Sequence, residues 1–87
     1  MPGMIKCEGF DDAIIGIAYS FGVYRVVYDK EKMIEVCKKV DKMKHDKAVE
    51  FLEHNTWNAH VGANTPIYVD KMDITEIEDK DKELIKL

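Results

Sequence analysis

Apolar residues recur with helical spacing in two stretches of this 87-residue chain. Over residues 30–40 they are separated by lysines and glutamates at three- and four-residue steps, and Asp29 is placed to cap a helix there. Over residues 45–54, pairs of apolar residues are separated by charged ones. The inward stripes are Met33, Ile34, Cys37 and Val40 in the first stretch, and Ala48, Val49, Phe51 and Leu52 in the second. Two amphipathic helices are therefore predicted.

Shorter apolar runs predict strands. Residues 24–28 are β-branched and aromatic apart from one arginine, which is typical of a strand. Residues 67–69 predict a second strand, since Pro66 stands at its start, where the missing N–H does least harm. Residues 4–6 allow a brief opening strand.

The run over residues 13–19 predicts a third helix. Two acidic residues precede it and suit a helix N-terminus, and Asp11 is placed to cap it. Gly16 would weaken this helix by up to about 1 kcal/mol relative to alanine, so a partial strand is the alternative. Phe21-Gly22 ends the run.

The pattern as a whole predicts an α+β fold in a small single domain. About three helices pack on a short antiparallel or mixed sheet of two to four strands. Residues 1–70 form the ligand-binding domain, and residues 71–87 form an acidic C-terminal extension. Asp73 and Glu76 have the spacing of a capping box, so a frayed helix and a solvated tail are both open for this extension.

Composition and charge narrow the range of possible functions. With 46% hydrophobic and 34% charged residues the chain has ordinary globular composition, and a domain this small often self-associates. The net charge is −4, of which residues 70–87 supply −3, so DNA binding through a basic surface is disfavoured. No apolar run approaches the length of a membrane span. Cys7 and Cys37 fit neither a zinc site nor a disulfide scaffold, which favours a reducing cytoplasm.

Sequence motifs for catalysis are missing from the chain. It contains no G-x-x-x-x-G-K-[ST], G-x-G-x-x-G, H-E-x-x-H or G-x-S-x-G. We therefore expect no enzyme activity, no cofactor, no metal site and no catalytic residue. One alternative stays open, a small nucleotide hydrolase that uses His54 or His60 with Asp12.

Several residues are candidates for binding a ligand. Arg25 is the only arginine, and its planar fork suits a phosphate or carboxylate, although a surface ion pair is an equal alternative. Tyrosines and Trp57 offer faces on which a base could stack, unless they belong to the core. Residues 55–65 are rich in asparagine and threonine, whose side chains can hydrogen-bond to base edges and phosphates. The alternative is that these residues form a plain surface loop. The candidate set is Asp12, Tyr19, Tyr24, Arg25, Asn55, Trp57, Asn58, His60 and Thr65.

Three groups of residues carry a resemblance to a family. They are Gly9-Phe10-Asp11-Asp12-Ala13-Ile14-Ile15-Gly16 with Val27-Tyr28-Asp29; Asp41 with Ala48-Val49-Glu50-Phe51; and Asn55, Ala59, Val61-Gly62 and Thr65-Pro66-Ile67. They run in order from Gly9 to Val69, so the acidic tail lies outside them. The chain resembles a widespread family of short tailed-phage proteins, and among them the anti-CBASS sponge proteins.

The resemblance implies a function. It implies a bacteriophage immune-evasion protein, a homotetramer in the cytoplasm of the infected bacterial host, that sequesters a cyclic dinucleotide such as 3′3′-cyclic GMP-AMP without cleaving it. His60 and Ala63 depart from the family pattern, which often has an aromatic residue and a glutamate at these positions. These departures leave the identity of the nucleotide open. The alternative is a phage protein that inhibits a host protein by direct contact through Trp57 and the acidic tail.

Overall fold

The computed structural model describes residues 3–87. Within them lie a three-stranded mixed sheet and three α-helices, which confirms the predicted α+β domain. The strands are β1 (Ile14–Ser20), β2 (Val23–Asp29) and β3 (Ile67–Val69), in the sheet order β1-β2-β3. The helices are α1 (Lys30–Val40), α2 (His45–Leu52) and α3 (Ile74–Lys80).

The prediction of a helix over residues 13–19 is wrong, since this segment is β1. It pairs antiparallel with β2, with Ile17 opposite Val26 and Tyr19 opposite Tyr24. Four of its seven residues are isoleucine or tyrosine, which favour a strand, and none is charged. Pairing with β2 therefore outweighs the acidic signal before it. A bulge at Ile15 lets two residues of β1 oppose one of β2.

Asp11 is not a helix cap. It belongs to a short 3₁₀ helix, Asp11–Ala13, whose preceding residue Phe10 makes no side-chain capping bond. The Asp11 carboxylate instead pairs with the Lys6 ammonium at 3.2 Å. The opening strand suggested for residues 4–6 does not form either.

The turn between β1 and β2 has only two residues. Phe21 has a φ of 52° and Gly22 a φ of 76°. Both adopt the left-handed conformation, which a common type of two-residue hairpin turn requires at both of its central positions. Glycine adopts this conformation without steric strain, whereas phenylalanine is strained in it.

Helix α1 begins where predicted. The Asp29 side chain accepts a hydrogen bond from the Glu31 amide at 3.0 Å and caps it. Met33, Ile34 and Cys37 are buried against the sheet, as predicted. Val40 is 70% exposed, because it is the last residue of the helix and extends past the core.

Helix α2 is followed by a π-helical segment, Glu53–Trp57, so the helical path runs beyond the predicted end at residue 54. Ala48 and Leu52 are buried four residues apart on one face, and Val49 packs partly against the core. Phe51 was predicted to face inward but is 39% exposed, since it lies about 100° around the helix from Leu52.

Strand β3 lies parallel to β2 and completes the sheet, with Tyr68 opposite Tyr28. Their rings stack with centroids 5.8 Å apart. The fully buried residues of the core are Ala13, Tyr28, Met33, Cys37, Ala48 and Leu52.

The acidic extension contains a capped helix. Asp73 and Glu76 form the predicted capping box at the start of α3, and none of the residues of α3 is buried. Nowhere in residues 3–87 does a helix have the length and apolar character needed to cross a membrane.

Candidate functional site

The loop between α2 and β3 is fastened to the hairpin by two side chains. Arg25 Nε donates to the Ala63 carbonyl at 2.9 Å. In the opposite direction, Asn64 Nδ2 donates to the Tyr24 carbonyl at 2.9 Å. Because the two bonds join the same loop to neighbouring residues of β2, they hold it in one place against the sheet.

A third side chain shapes the loop from within. Thr65 Oγ1 donates to the Ala59 carbonyl at 3.4 Å and accepts from the Val61 amide at 3.3 Å. It thereby closes residues 59–65 into a compact turn ahead of Pro66, which is buried. Thr65 therefore shapes the site rather than lying free in the solvent.

This loop forms one wall of a cleft of about 260 Å³. The opposite wall is the N-terminal segment, which contributes Ile5, Cys7, Glu8 and Phe10. The remaining lining residues are Asn55, Thr56, Ala59, Val61, Pro66 and Tyr68. The lining is mainly apolar with a few polar side chains, which is the usual character of a small-molecule site.

Two phenols, the buried Tyr28 and the half-buried Tyr68, hold the N-terminal wall in place. The Cys7 amide donates to the Tyr28 hydroxyl at 2.6 Å, and the Cys7 thiol lies 3.3 Å from the Tyr68 hydroxyl. Burial raises the pKa of Tyr28 and of Tyr68 above the ordinary value, because the phenolate would be poorly solvated there. Both hydroxyls are therefore neutral near pH 7 and able to hydrogen-bond to the amide and thiol of Cys7.

Two of the predicted asparagines bond carbonyls of the continuous helical stretch formed by α2 and the π-helical segment, but they lie in different places. Asn55 Nδ2 donates to the Phe51 carbonyl at 2.9 Å, and Asn58 Nδ2 donates to the Glu53 carbonyl at 3.1 Å. Asn55 lines the cleft, whereas Asn58 is exposed outside it. Asn55 is thus the better placed of the two to meet a ligand.

Tyr19, Tyr24 and Arg25 all belong to the hairpin, but the two tyrosines lie on one face of the sheet and Arg25, opposite Ala18, lies on the other. The rings of Tyr19 and Tyr24 are 4.9 Å apart and tilted at 52°. Within the described residues no carboxylate lies within 4 Å of the Arg25 guanidinium, so the ion-pair alternative for Arg25 is not what the structure contains. None of these three residues lines the cleft.

Trp57 occupies a separate position over α1. Its Nε1 donates to Met33 Sδ at 3.4 Å, and Lys30 Nζ lies 4.4 Å from the ring centroid. Lys30 also pairs with Asp70 at 3.3 Å. The indole is half-buried by these contacts, so it anchors the end of α2 to α1.

The other two predicted residues lie elsewhere. Asp12 is exposed and lines a shallow pocket of about 240 Å³ beside α1, together with Lys32 and Lys39. His60 is exposed in the loop. The structure therefore does not bring Asp12 into the cleft.

Of the residues that line the cleft, only Asn55 was in the predicted set. Asn64 fastens the loop, and Cys7 and Tyr68 form the cleft wall. Asn64 belongs to the asparagine-rich loop and could have been found from it. Cys7 and Tyr68 are 61 residues apart, and only the parallel pairing of β3 with β2 brings them together.

Among residues 3–87, no group of three histidine, cysteine, aspartate or glutamate side chains could hold a metal ion. No protein-family model, curated protein or solved structure matches the chain. The resemblance to the anti-CBASS sponge proteins therefore stays a prediction.

Proposed function

We propose that this chain binds a cyclic dinucleotide, such as 3′3′-cyclic GMP-AMP, without cleaving it, and so inhibits host CBASS defence. The observation that carries the proposal is the cleft between the N-terminal segment and the 58–66 loop. Its lining is mainly apolar with a few polar side chains, and hydrogen bonds hold both of its walls in place. The resemblance of the sequence to phage sponge proteins supplies the class of ligand.

The size of the cleft limits what one subunit holds. At about 260 Å³ it lies just below the range of about 300–1,000 Å³ typical of sites for drug-sized ligands. It suits one base of the ligand, and the second base needs another surface. An equivalent cleft on a second copy of the chain would meet this need.

The polar groups of the cleft favour a ligand edge that donates hydrogen bonds. The Glu8 carboxylate is an acceptor, and the Asn55 carbonyl oxygen is free to accept, since the Asn55 amide nitrogen is bonded to Phe51. Guanine presents an amino donor on its edge. The phosphates would then lie away from Glu8, because like charges repel.

Calorimetric titration with 3′3′-cyclic GMP-AMP tests the proposal. Asn55→Ala should weaken binding at least tenfold, whereas Asn58→Ala should leave it unchanged. The two variants are matched, since each loses one side-chain bond to a carbonyl of the same helical segment and only Asn55 lines the cleft. Equal losses in both variants, or no heat with the wild type, would contradict the site.

Recovery of the ligand separates binding from hydrolysis. After incubation and heat denaturation, chromatography of the supernatant should return the dinucleotide intact. A cleaved product would favour the hydrolase alternative instead.

One observation favours the second candidate function, inhibition of a host protein by contact. Helix α3 and the residues after it expose Ile74, Leu84 and Ile85 around a pocket of about 530 Å³. The pocket is lined by two acidic and two basic side chains, Glu78, Asp81, Lys82 and Lys86, within a segment that is acidic as a whole. An apolar partner surface with charges of both signs around it would suit this pocket. Deletion of residues 73–87 should abolish inhibition by this route and leave nucleotide binding intact.

A further inference from the structure

We infer that β1 is the interface through which two copies of this chain pair, edge to edge and antiparallel, to form one continuous six-stranded sheet. The inference rests on the strand itself and not on the proposed ligand.

The first observation is that β1 lies at the edge of the sheet and that its regular part, residues 16–20, carries no charge, proline or bulge to protect it against pairing. Strand β2 occupies one side of β1, and no described strand occupies the other. Edge strands of monomeric proteins are usually guarded by lysine, proline or inward charges. Residues 13–24 contain neither a charge nor a proline. The bulge at Ile15 disturbs only the first part of β1 and leaves residues 16–20 in regular register.

The second observation is the exposure of its large apolar side chains. Ile17 is 49% exposed and Tyr19 is 64% exposed, although both lie on the face of the sheet that carries the core. The helices cover that face over β2 but stop short of these two residues. Phe21 in the turn is fully exposed and held in a left-handed conformation. The opposite face of β1 carries only Gly16, Ala18 and Ser20.

The absence of charge on β1 lets a second copy of the chain occupy its edge. Two molecules of net charge −4 repel, and like charges directly opposite each other in a sheet are destabilising. The uncharged segment of residues 13–24 is where two copies can meet without that cost. A twofold axis brings the same patch of each copy against itself, as in most dimers.

The positions of the apolar side chains fix the register. With the axis at Ala18, Ile17 of each copy lies opposite Tyr19 of the other, which is a favourable pairing of a β-branched with an aromatic residue. Both large exposed apolar side chains of the regular part of β1 thus acquire a partner, and both helical layers lie on the same side of the joined sheet.

A charge at the edge tests the interface. Light scattering of the wild type at tens of micromolar should give at least twice the 10.1 kDa of one chain. Ile17→Lys should reduce the mass to 10.1 kDa with an unchanged circular dichroism spectrum. Ile74→Lys is the matched control, since it places the same charge on an exposed isoleucine of α3, and it should keep the wild-type mass. A monomeric wild type, or a folded Ile17→Lys variant with wild-type mass, would overturn the inference.

Disulfide trapping tests the register without relying on a destabilising change. In antiparallel pairs the Cα atoms of opposite residues are about 4.5–5.5 Å apart, which a disulfide spans. Ala18→Cys should therefore give a covalent dimer under mild oxidation. Ser20→Cys should not, since its two copies would be four residues apart along the strands, about 13 Å. Equal trapping of both variants, or of neither above the wild type, would rule out this register.

Discussion

At the scale of single residues, the side chains that looked available for a ligand are largely used by the loop itself. Arg25 bonds Ala63, Asn64 bonds Tyr24, and Thr65 bonds Ala59 and Val61. Short polar side chains do this readily because they reach nearby backbone groups without bending the chain. A ligand therefore meets a preformed loop, and little ordering entropy is lost when it binds.

Arg25 combines two roles that mutation can separate. Arg25→Ala should weaken nucleotide binding at least tenfold, about 1.4 kcal/mol, because only Nε is used by Ala63 and the other guanidinium nitrogens can bond a phosphate that extends beyond the cleft, which Arg25 itself does not line. Asn64→Ala is the control, since it releases the same loop but keeps the charge. Calorimetry should show a smaller loss for Asn64→Ala. If both variants lose affinity equally, Arg25 acts only through the loop.

The buried phenols predict sensitivity to alkali. The pKa of Tyr28 and of Tyr68 is raised in the folded state by burial, and burial also raises the pKa of the Cys37 thiol. A raised folded pKa means that stability is complete below the unfolded pKa and is lost as the pH rises above it. The free energy of unfolding should therefore fall from about pH 8.5 for the thiol and about pH 10 for the phenols.

Urea unfolding between about pH 8 and about pH 11 measures this loss. Tyr68→Phe should flatten the decline at the alkaline end, whereas Tyr19→Phe, which alters an exposed ring, should not. A decline that is the same in all three proteins would show that these phenols do not set the alkaline limit.

At the scale of elements, the sequence predicted correctly those helices that bury one apolar face or begin at a capping residue. Helices α1 and α2 each bury one stripe, and Asp29 and Asp73 cap helices where predicted. β1 was mistaken for a helix because Asp11 and Asp12 resemble a helix start, while its pairing with β2 depends on a turn whose Phe21 is an unusual left-handed residue. The cleft could not be predicted, since it joins residues from opposite ends of the sequence.

The hairpin turn gives a prediction at this scale. Phe21→Asn should raise the free energy of unfolding by about 1 kcal/mol, because asparagine tolerates the left-handed conformation that strains phenylalanine. Gly22→Ala should lower it by a similar amount, since its φ of 76° is strained for any residue with a Cβ. Thermal unfolding at a low protein concentration, where self-association is weakest, measures both. A destabilised Phe21→Asn variant would mean that the phenyl ring contributes contacts even in the single chain.

At the scale of the whole molecule, two ion pairs connect the core to the start of the acidic extension. Lys71 lies 3.3 Å from the Asp29 carboxylate, which is buried at the end of β2, and Asp70 pairs with Lys30 at the same distance. Beyond Met72 no residue is buried. The physical boundary of the domain is therefore predicted just after Met72, two residues beyond the boundary at residue 70 that the sequence predicts.

Two truncations test that boundary. A chain ending at Met72 keeps both ion pairs and should unfold within about 0.5 kcal/mol of the full chain, with nucleotide binding unchanged. A chain ending at Val69 loses both partners and leaves the buried Asp29 carboxylate without its cation, so it should lose about 1–3 kcal/mol. Urea unfolding and calorimetry on the same samples give both quantities. If the chain ending at Met72 stays folded but no longer binds the dinucleotide, the acidic extension contributes to the site, and inhibition through a protein partner becomes the better account of the function.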